Sequence, residues 1–307
     1  MRKGTAIALT LLMSLVIGQA GIAPQAYAQD VKPLRVVSEQ TVKGFAFPET
    51  VTYDPQAKVL YVSEFGSELK PAEKDGKGRI SKASLAGEVL DKQFLPAPGG
   101  EVLNKPKGSW VAGNRFWVTD IDVAWVFDLT TRRGRKVALP GAQFANDLAV
   151  MGNALYVSDN RADQLFRVEP ADFLEMKGEP KVTRVFQGKS VNPNGIYPAK
   201  DGSLLMVGTM SAEQPRGIYS IDAAGEIKTL AKDIGRLDGL YEMDDGTLLV
   251  TDWNSGSLFR WSPKGIETLA KGFKGPADFC VIPEANGFLV VVPDLVQGEL
   301  RLVRLAR

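Results

Sequence analysis

One pattern recurs six times along this 307-residue chain, and it constrains the fold more than any other feature. "KGSWVAGNRFWVTD" from Lys107 and "NDLAVMGNALYVSD" from Asn146 superimpose without a gap, Asp120 on Asp159. "ETVTYDPQAKVLYVSE", "NGIYPAKDGSLLMVG" and "DGLYEMDDGTLLVTD" follow with small turn insertions, and "ADFCVIPEANGFLVVVPD" is the loosest copy. The units begin at Glu49, Lys107, Asn146, Asn194, Asp238 and Ala277, roughly forty to sixty residues apart. Each reads as a short first strand, a turn such as Asp245-Gly246, a β-rich second strand such as "ALYVSD", then a third and a fourth. Four antiparallel strands at this period predict an all-β, six-bladed β-propeller. The last unit lacks a fourth strand, while "PLRVVSEQTVKG" has no unit of its own, so residues about 34–41 are expected to complete the sixth blade and close the ring. "ADFLEMKG" (Ala171–Gly178) is the single short helix expected.

The chain opens with Arg2 and Lys3, an apolar stretch from Ala6 to Ile17, and Ala26-Tyr27-Ala28. That is the form of a cleaved export signal over residues 1–28, leaving residues 29–307 as one propeller domain, periplasmic or secreted. The apolar stretch is short of the ~20 residues that a membrane span needs. Overall, 37 basic residues face 36 acidic ones, a balance that offers nucleic acid and anionic membranes no footprint. The expected partner is a small-molecule substrate, and nothing in the sequence speaks to an oligomer.

There is no histidine, which excludes Ser-His-Asp and Cys-His catalysis and histidine-ligated zinc. The one cysteine, Cys280, lies in an apolar run and reads as a buried thiol. In a propeller the first strands line the central channel, so the six starting residues face one mouth. Asn194 then opens a blade at the axis, with Gly195 letting the backbone turn there and crowd closely. Glu49, Asn146, Asn194 and Asp238 together offer two carboxylates and two amide carbonyls, which balances a divalent cation. Oxygen donors alone select a hard ion, Ca²⁺ first, then Mg²⁺ or Mn²⁺, with Zn²⁺ less favoured.

The ordered motifs "PETVTYD", "ND" in the third unit, "NG" in the fourth and "DG" in the fifth resemble the senescence marker protein/gluconolactonase/luciferin-regenerating enzyme family, which includes regucalcin-like propellers. The resemblance implies a divalent metal, commonly calcium, at Glu49, Asn146, Asn194 and Asp238. It also implies hydrolysis of a lactone or related ester. Asp238 is the expected general base or nucleophile, since a carboxylate must serve where histidine is absent. Asp147 and Asp278, one place after ring positions, are expected to orient the ligands. Lys107 is a candidate for holding a substrate oxyanion, or is a lysine reaching out to solvent. Arg161, Met210 and Trp253, in loops after second strands, are candidate substrate contacts. Glu64, Asp120, Asp159 and Asp252, which end second strands, read as turn and blade-stabilising residues. The sugar-binding arginine usual two places before the third-unit asparagine is here Phe144. The competing reading is a non-catalytic propeller, a binding or scaffold module with a structural or vestigial calcium site.

Overall fold

The computed structural model describes Met1 and residues 33–307; the export-signal segment lies outside the described residues. Among the described residues, twenty-four strands form six four-stranded antiparallel sheets. The inner strands of blades one to six are Pro48–Asp54, Pro106–Ala112, Ala145–Met151, Pro193–Pro198, Leu237–Glu242 and Cys280–Glu284. The six-bladed propeller inferred from the repeat is therefore the fold. Arg35–Lys43 pairs antiparallel with Glu299–Ala306, from Arg35 opposite Ala306 to Lys43 opposite Glu299. The N-terminal strand thus supplies the outermost strand of blade six, as the missing fourth strand of the last repeat required.

Hydrophobic packing occurs between blades rather than in one central core. Six apolar clusters fill the six interfaces; Leu155, Val157 and Phe166 of blade three, for example, pack with Trp117 and Val126 of blade two. Second strands are covered on both faces, so "VLYVSE" (Val59–Glu64) and "LLVTD" (Leu248–Asp252) are buried throughout. That explains their continuous apolar character. Outer strands such as Arg35–Lys43 are mostly exposed and polar.

The Ala171–Gly178 segment is not helical. Its backbone carbonyls are taken by side chains from blade two: Trp117 Nε1 donates to Ala171 O at 2.8 Å, and Arg135 Nη1 to Phe173 O at 3.0 Å. Phe173 is wholly buried in the interface cluster. Side-chain capture of the carbonyls and burial of this ring outweigh a weak local helical preference.

Candidate functional site

In five blades the pairing of inner and second strands slips at the ring position: between Pro48 and Thr50, Pro106 and Ser109, Ala145 and Leu148, Pro193 and Ile196, and Leu237 and Leu240. Each slip is a β-bulge, which breaks the strict alternation of faces. The ring residue and its successor therefore both approach the axis, one above the other. The glycines at the second of these levels are set by crowding. A Cβ on Gly195 would lie 2.1 Å from Asp238 O, and one on Gly239 would lie 2.4 Å from Asp278 Oδ1. Neither glycine has a positive φ. Of the two roles expected for Gly195, close approach holds and the special turn does not.

The "TD" and "SD" endings of the second strands position the ring through two separate contacts. Their carboxylates clamp the backbone entering the same blade. Asp120 accepts from Asn104 N and Lys105 N, both at 2.8 Å, and Asp159 from Gln143 N at 2.7 Å and Phe144 N at 3.1 Å. Asp252 accepts from Arg236 N at 2.9 Å, and Glu64 accepts from Ala46 N. Their hydroxyls reach the following blade. Ser158 Oγ donates to Asn194 O at 2.6 Å, Thr251 Oγ1 to Ala277 O at 3.0 Å, and Thr119 Oγ1 to Asn146 O. The stabilising role read for the acids agrees with this geometry. The hydroxyl half was legible in the same motif but unread. Asp294, which accepts from Lys274 N at 2.7 Å and Gly275 N at 3.0 Å, belongs to the same class and was missed. Blade four carries Gly208 at this register, and Asp163 of blade three supplies the carboxylate instead, accepting from Val191 N at 3.0 Å and Asn192 N at 2.6 Å.

Glu49, Lys107, Asn146, Asn194 and Asp238 are all buried around one mouth, called here the front. Asn146 Nδ2 donates to Asn194 Oδ1, and Asn194 Nδ2 to Leu237 O at 3.0 Å. Asn194 also hydrogen-bonds the Asp238 carboxylate. Trp253 Nε1 donates to Asp238 Oδ2 at 2.7 Å, and Thr50 Oγ1 to Glu49 Oε2 at 2.8 Å. Burial raises Glu49 well above the usual carboxylate range, the Asp238 charge raises it further, and Lys107 opposes both. Burial also pushes Asp238 up to about 6, against hydrogen bonds from Trp253 and Asn194 and the nearby charge of Arg236.

Lys107 does not reach solvent. It is fully buried, its Nζ donates to Lys105 O at 3.0 Å, and it lies 4.3 Å from the centre of the Phe144 ring. Burial pulls it down to about 8, despite the charges of Glu49 and Asp120. Arg161 covers the Phe144 ring at 4.1 Å, so a guanidinium comes beside residue 144 from the adjoining hairpin. Trp253 reaches the ring through Asp238. Met210 stands apart, exposed, with Arg216 Nη2 2.7 Å from its sulfur. Asp147 and Asp278 lie one level deeper in the channel. Asp147 accepts from Leu148 N and Ile196 N, both at 2.7 Å, and Asp278 from Phe279 N at 2.9 Å. Their bonds go to backbone N–H groups and not to the front-ring side chains. The loop Phe65–Gly78 is tied down by the wholly buried Lys105, whose Nζ donates to Phe65 O at 3.0 Å and Asp75 Oδ2 at 2.7 Å.

The donor set suits a divalent cation. Burial raises both carboxylates, a cation between them would favour their charged forms, and the two carboxamides add neutral oxygens. Among the described residues no three Asp, Glu or Cys side chains gather as a metal cluster, so the amides are integral to the fit.

No family model matches the chain, and no curated protein matches it. Its fold is similar to solved structures at low identity. A gluconolactonase candidate is 14% identical, with 89% of this chain and 94% of that one covered and a TM-score of 0.63. Regucalcin from Agrobacterium tumefaciens, a calcium-binding protein, is 16% identical, with 86% and 92% covered and a TM-score of 0.57. Virginiamycin B lyase from Staphylococcus aureus is 15% identical, with 88% and 100% covered and a TM-score of 0.59. A form of that lyase with a histidine replaced by alanine is catalytically inactive. These likenesses establish the propeller fold.

Proposed function

We propose that the protein is an exported, metal-dependent hydrolase that opens a lactone or related ester at the front mouth, with Ca²⁺ as its ion. The observation that carries this reading is the meeting of Glu49, Asn146, Asn194 and Asp238 from four blades, two of them carboxylates held away from water. The gluconolactonase candidate and the calcium-binding regucalcin among the fold neighbours support it. The lyase neighbour is a poorer guide, because replacing a histidine inactivates it and this chain has none.

The four side chains would hold the cation, which when bound supplies Lewis acidity toward a carbonyl oxygen and lowers the pKa of the water it holds. Asp238, oriented by Trp253 and Asn194, takes a proton from the attacking water or attacks as nucleophile. Lys107 and Arg161 both lie against the Phe144 ring, and Arg236 lies 4.9 Å from the Trp253 ring. Among the described residues the buried Nε of Arg236 has no hydrogen-bond partner, which suits an oxyanion or a carboxylate-bearing substrate. Hydrolysis of a lactone and ester panel, with and without chelator, tests the proposal on the wild type and on Asp238→Asn. Full activity in that variant removes the assignment.

Phe144 favours a second reading, a binding module with a structural ion, since its buried ring stands where the resemblance implies a substrate arginine. Bound calcium in the purified protein, without turnover of any panel member, selects that reading. Export is tested by the mass of the mature N-terminus, expected near Gln29.

A further inference from the structure

The channel has a second chamber at its rear end, of about 290 Å³, separated from the front ring by the level that carries Asp147, Asp278 and the glycines. Three residues beyond the ring positions stand Thr52, Trp110, Ala149, Tyr197, Tyr241 and Cys280. Round the ring these run small, large, small, large, large, small, so the three aromatic residues, Trp110, Tyr197 and Tyr241, fall on one side of the tier. The Trp110 and Tyr197 rings lie 6.4 Å apart, and Tyr197 and Tyr241 lie 5.1 Å apart with their hydroxyls hydrogen-bonded. This arc borders the chamber, and Asp147 and Asp278 form its floor.

Among the described residues the lining contains no lysine or arginine. Among the described residues its only carboxyl groups are those of the two aspartates, which burial keeps protonated until a cation beside them draws the proton off, and they are not equivalent. Both oxygens of Asp147 accept backbone N–H groups. Asp278 uses Oδ1 for Phe279 N, and among the described residues its Oδ2 has no donor. A metal ion is poorly served here, because Ca²⁺ takes six to eight oxygens and three of these four carboxylate oxygens are already engaged. Aromatic faces combined with one free carboxylate oxygen suit a different ligand. Ring quadrupoles attract a cation and an ammonium N–H donates to carboxylate. The volume admits a molecule of roughly ten heavy atoms, small by the standard of ligand pockets.

We propose that this rear chamber binds a small organic cation, a primary amine or quaternary ammonium, between the Trp110–Tyr197–Tyr241 arc and Asp278. The site is independent of the front metal reading and stands or falls without it.

Titration calorimetry on the full mature chain, in chelator, tests the proposal with benzylamine, benzyltrimethylammonium, and the neutral isostere benzyl alcohol. Both cations are expected to bind saturably and about tenfold more tightly than the alcohol, the size of one good cation–π contact. Asp278→Asn is expected to weaken benzylamine about tenfold while sparing benzyl alcohol. Trp110→Leu is expected to weaken both cations, and Tyr241→Leu serves if that variant does not fold. Equal affinity for the alcohol would reduce the chamber to an apolar cavity and overturn the proposal. So would the absence of saturable heat from either cation at about 10 mM, or, in buffer without chelator, displacement of benzylamine by calcium in Glu49→Gln, where the front ring lacks one carboxylate.

Discussion

Trp253 holds Asp238 by one oxygen: the indole Nε1 donates to Oδ2 at 2.7 Å. The tryptophan follows the clamp residue Asp252, whose carboxylate accepts from Arg236 N, two places before Asp238. One short segment therefore fixes both the backbone approaching Asp238 and the orientation of its carboxylate.

Trp253→Phe keeps an aromatic ring and removes the donor together with the rest of the indole. Partners of metal-binding carboxylates typically contribute 10–100-fold to affinity or activity. Calcium affinity by calorimetry is expected to fall by about tenfold, with the melting temperature nearly unchanged. Unaltered affinity would detach Trp253 from the site.

Gly195→Ala tests the crowding account. The added Cβ meets Asp238 O at 2.1 Å, a contact with backbone that no rotamer change relieves. Overpacking of this kind costs about 3 kcal/mol. Gly152→Ala is the contrast: its Cβ meets nothing, but its φ of 58° penalises any side chain by about 1 kcal/mol. Denaturant unfolding should rank the two in that order.

Asp163→Ala removes the carboxylate that blade four borrows. The N–H groups of Ser190, Val191 and Asn192 lose their acceptor together. A loss of about 2 kcal/mol is expected, because water can replace part of each bond at this half-exposed turn. Hydrogen exchange should accelerate at the entry to blade four and remain unchanged in blade one.

Deleting residues 29–43 strips the outer strand from Glu299–Ala306 and opens the ring. An exposed strand edge and the loss of Leu34 and Val36 from the blade five–six cluster follow. The truncated chain is expected to melt far below the full one or to aggregate. An unchanged melting temperature would show that ring closure contributes nothing.

Burial, with the Asp238 charge added, pushes the Asp278 carboxyl up to about 8. Between its ordinary value near 3.8 and that raised one, the folded protein keeps a proton that the unfolded chain has lost. Its contribution to stability is therefore present at low pH and disappears as pH rises through that window. In chelator, thermal stability of the wild type is expected to fall between pH 5 and pH 8 more steeply than that of Asp278→Asn. Parallel profiles would refute the assignment.

The architecture was readable because propeller blades repeat their chemistry. Turn glycines, two-sided apolar second strands and a missing fourth strand all follow from local needs that each blade meets alone. The list of ring residues was readable for the same reason, since residues at equivalent register must share one mouth. Ala171–Gly178 was misread because its fate depends on Trp117 and Arg135, which lie in another blade.

By itself, then, the sequence determined the number of blades, the way the ring closes and which side chains stand at the axis, because each is a property of register within a repeat. Only the tertiary structure decided how those side chains are used. The stacking of Asp147 and Asp278 beneath the ring, the burial of Lys107 against Phe144 and the aromatic chamber at the rear all arise between blades. Contacts there depend on which residues six separate strands bring to the same height, and no single repeat records that.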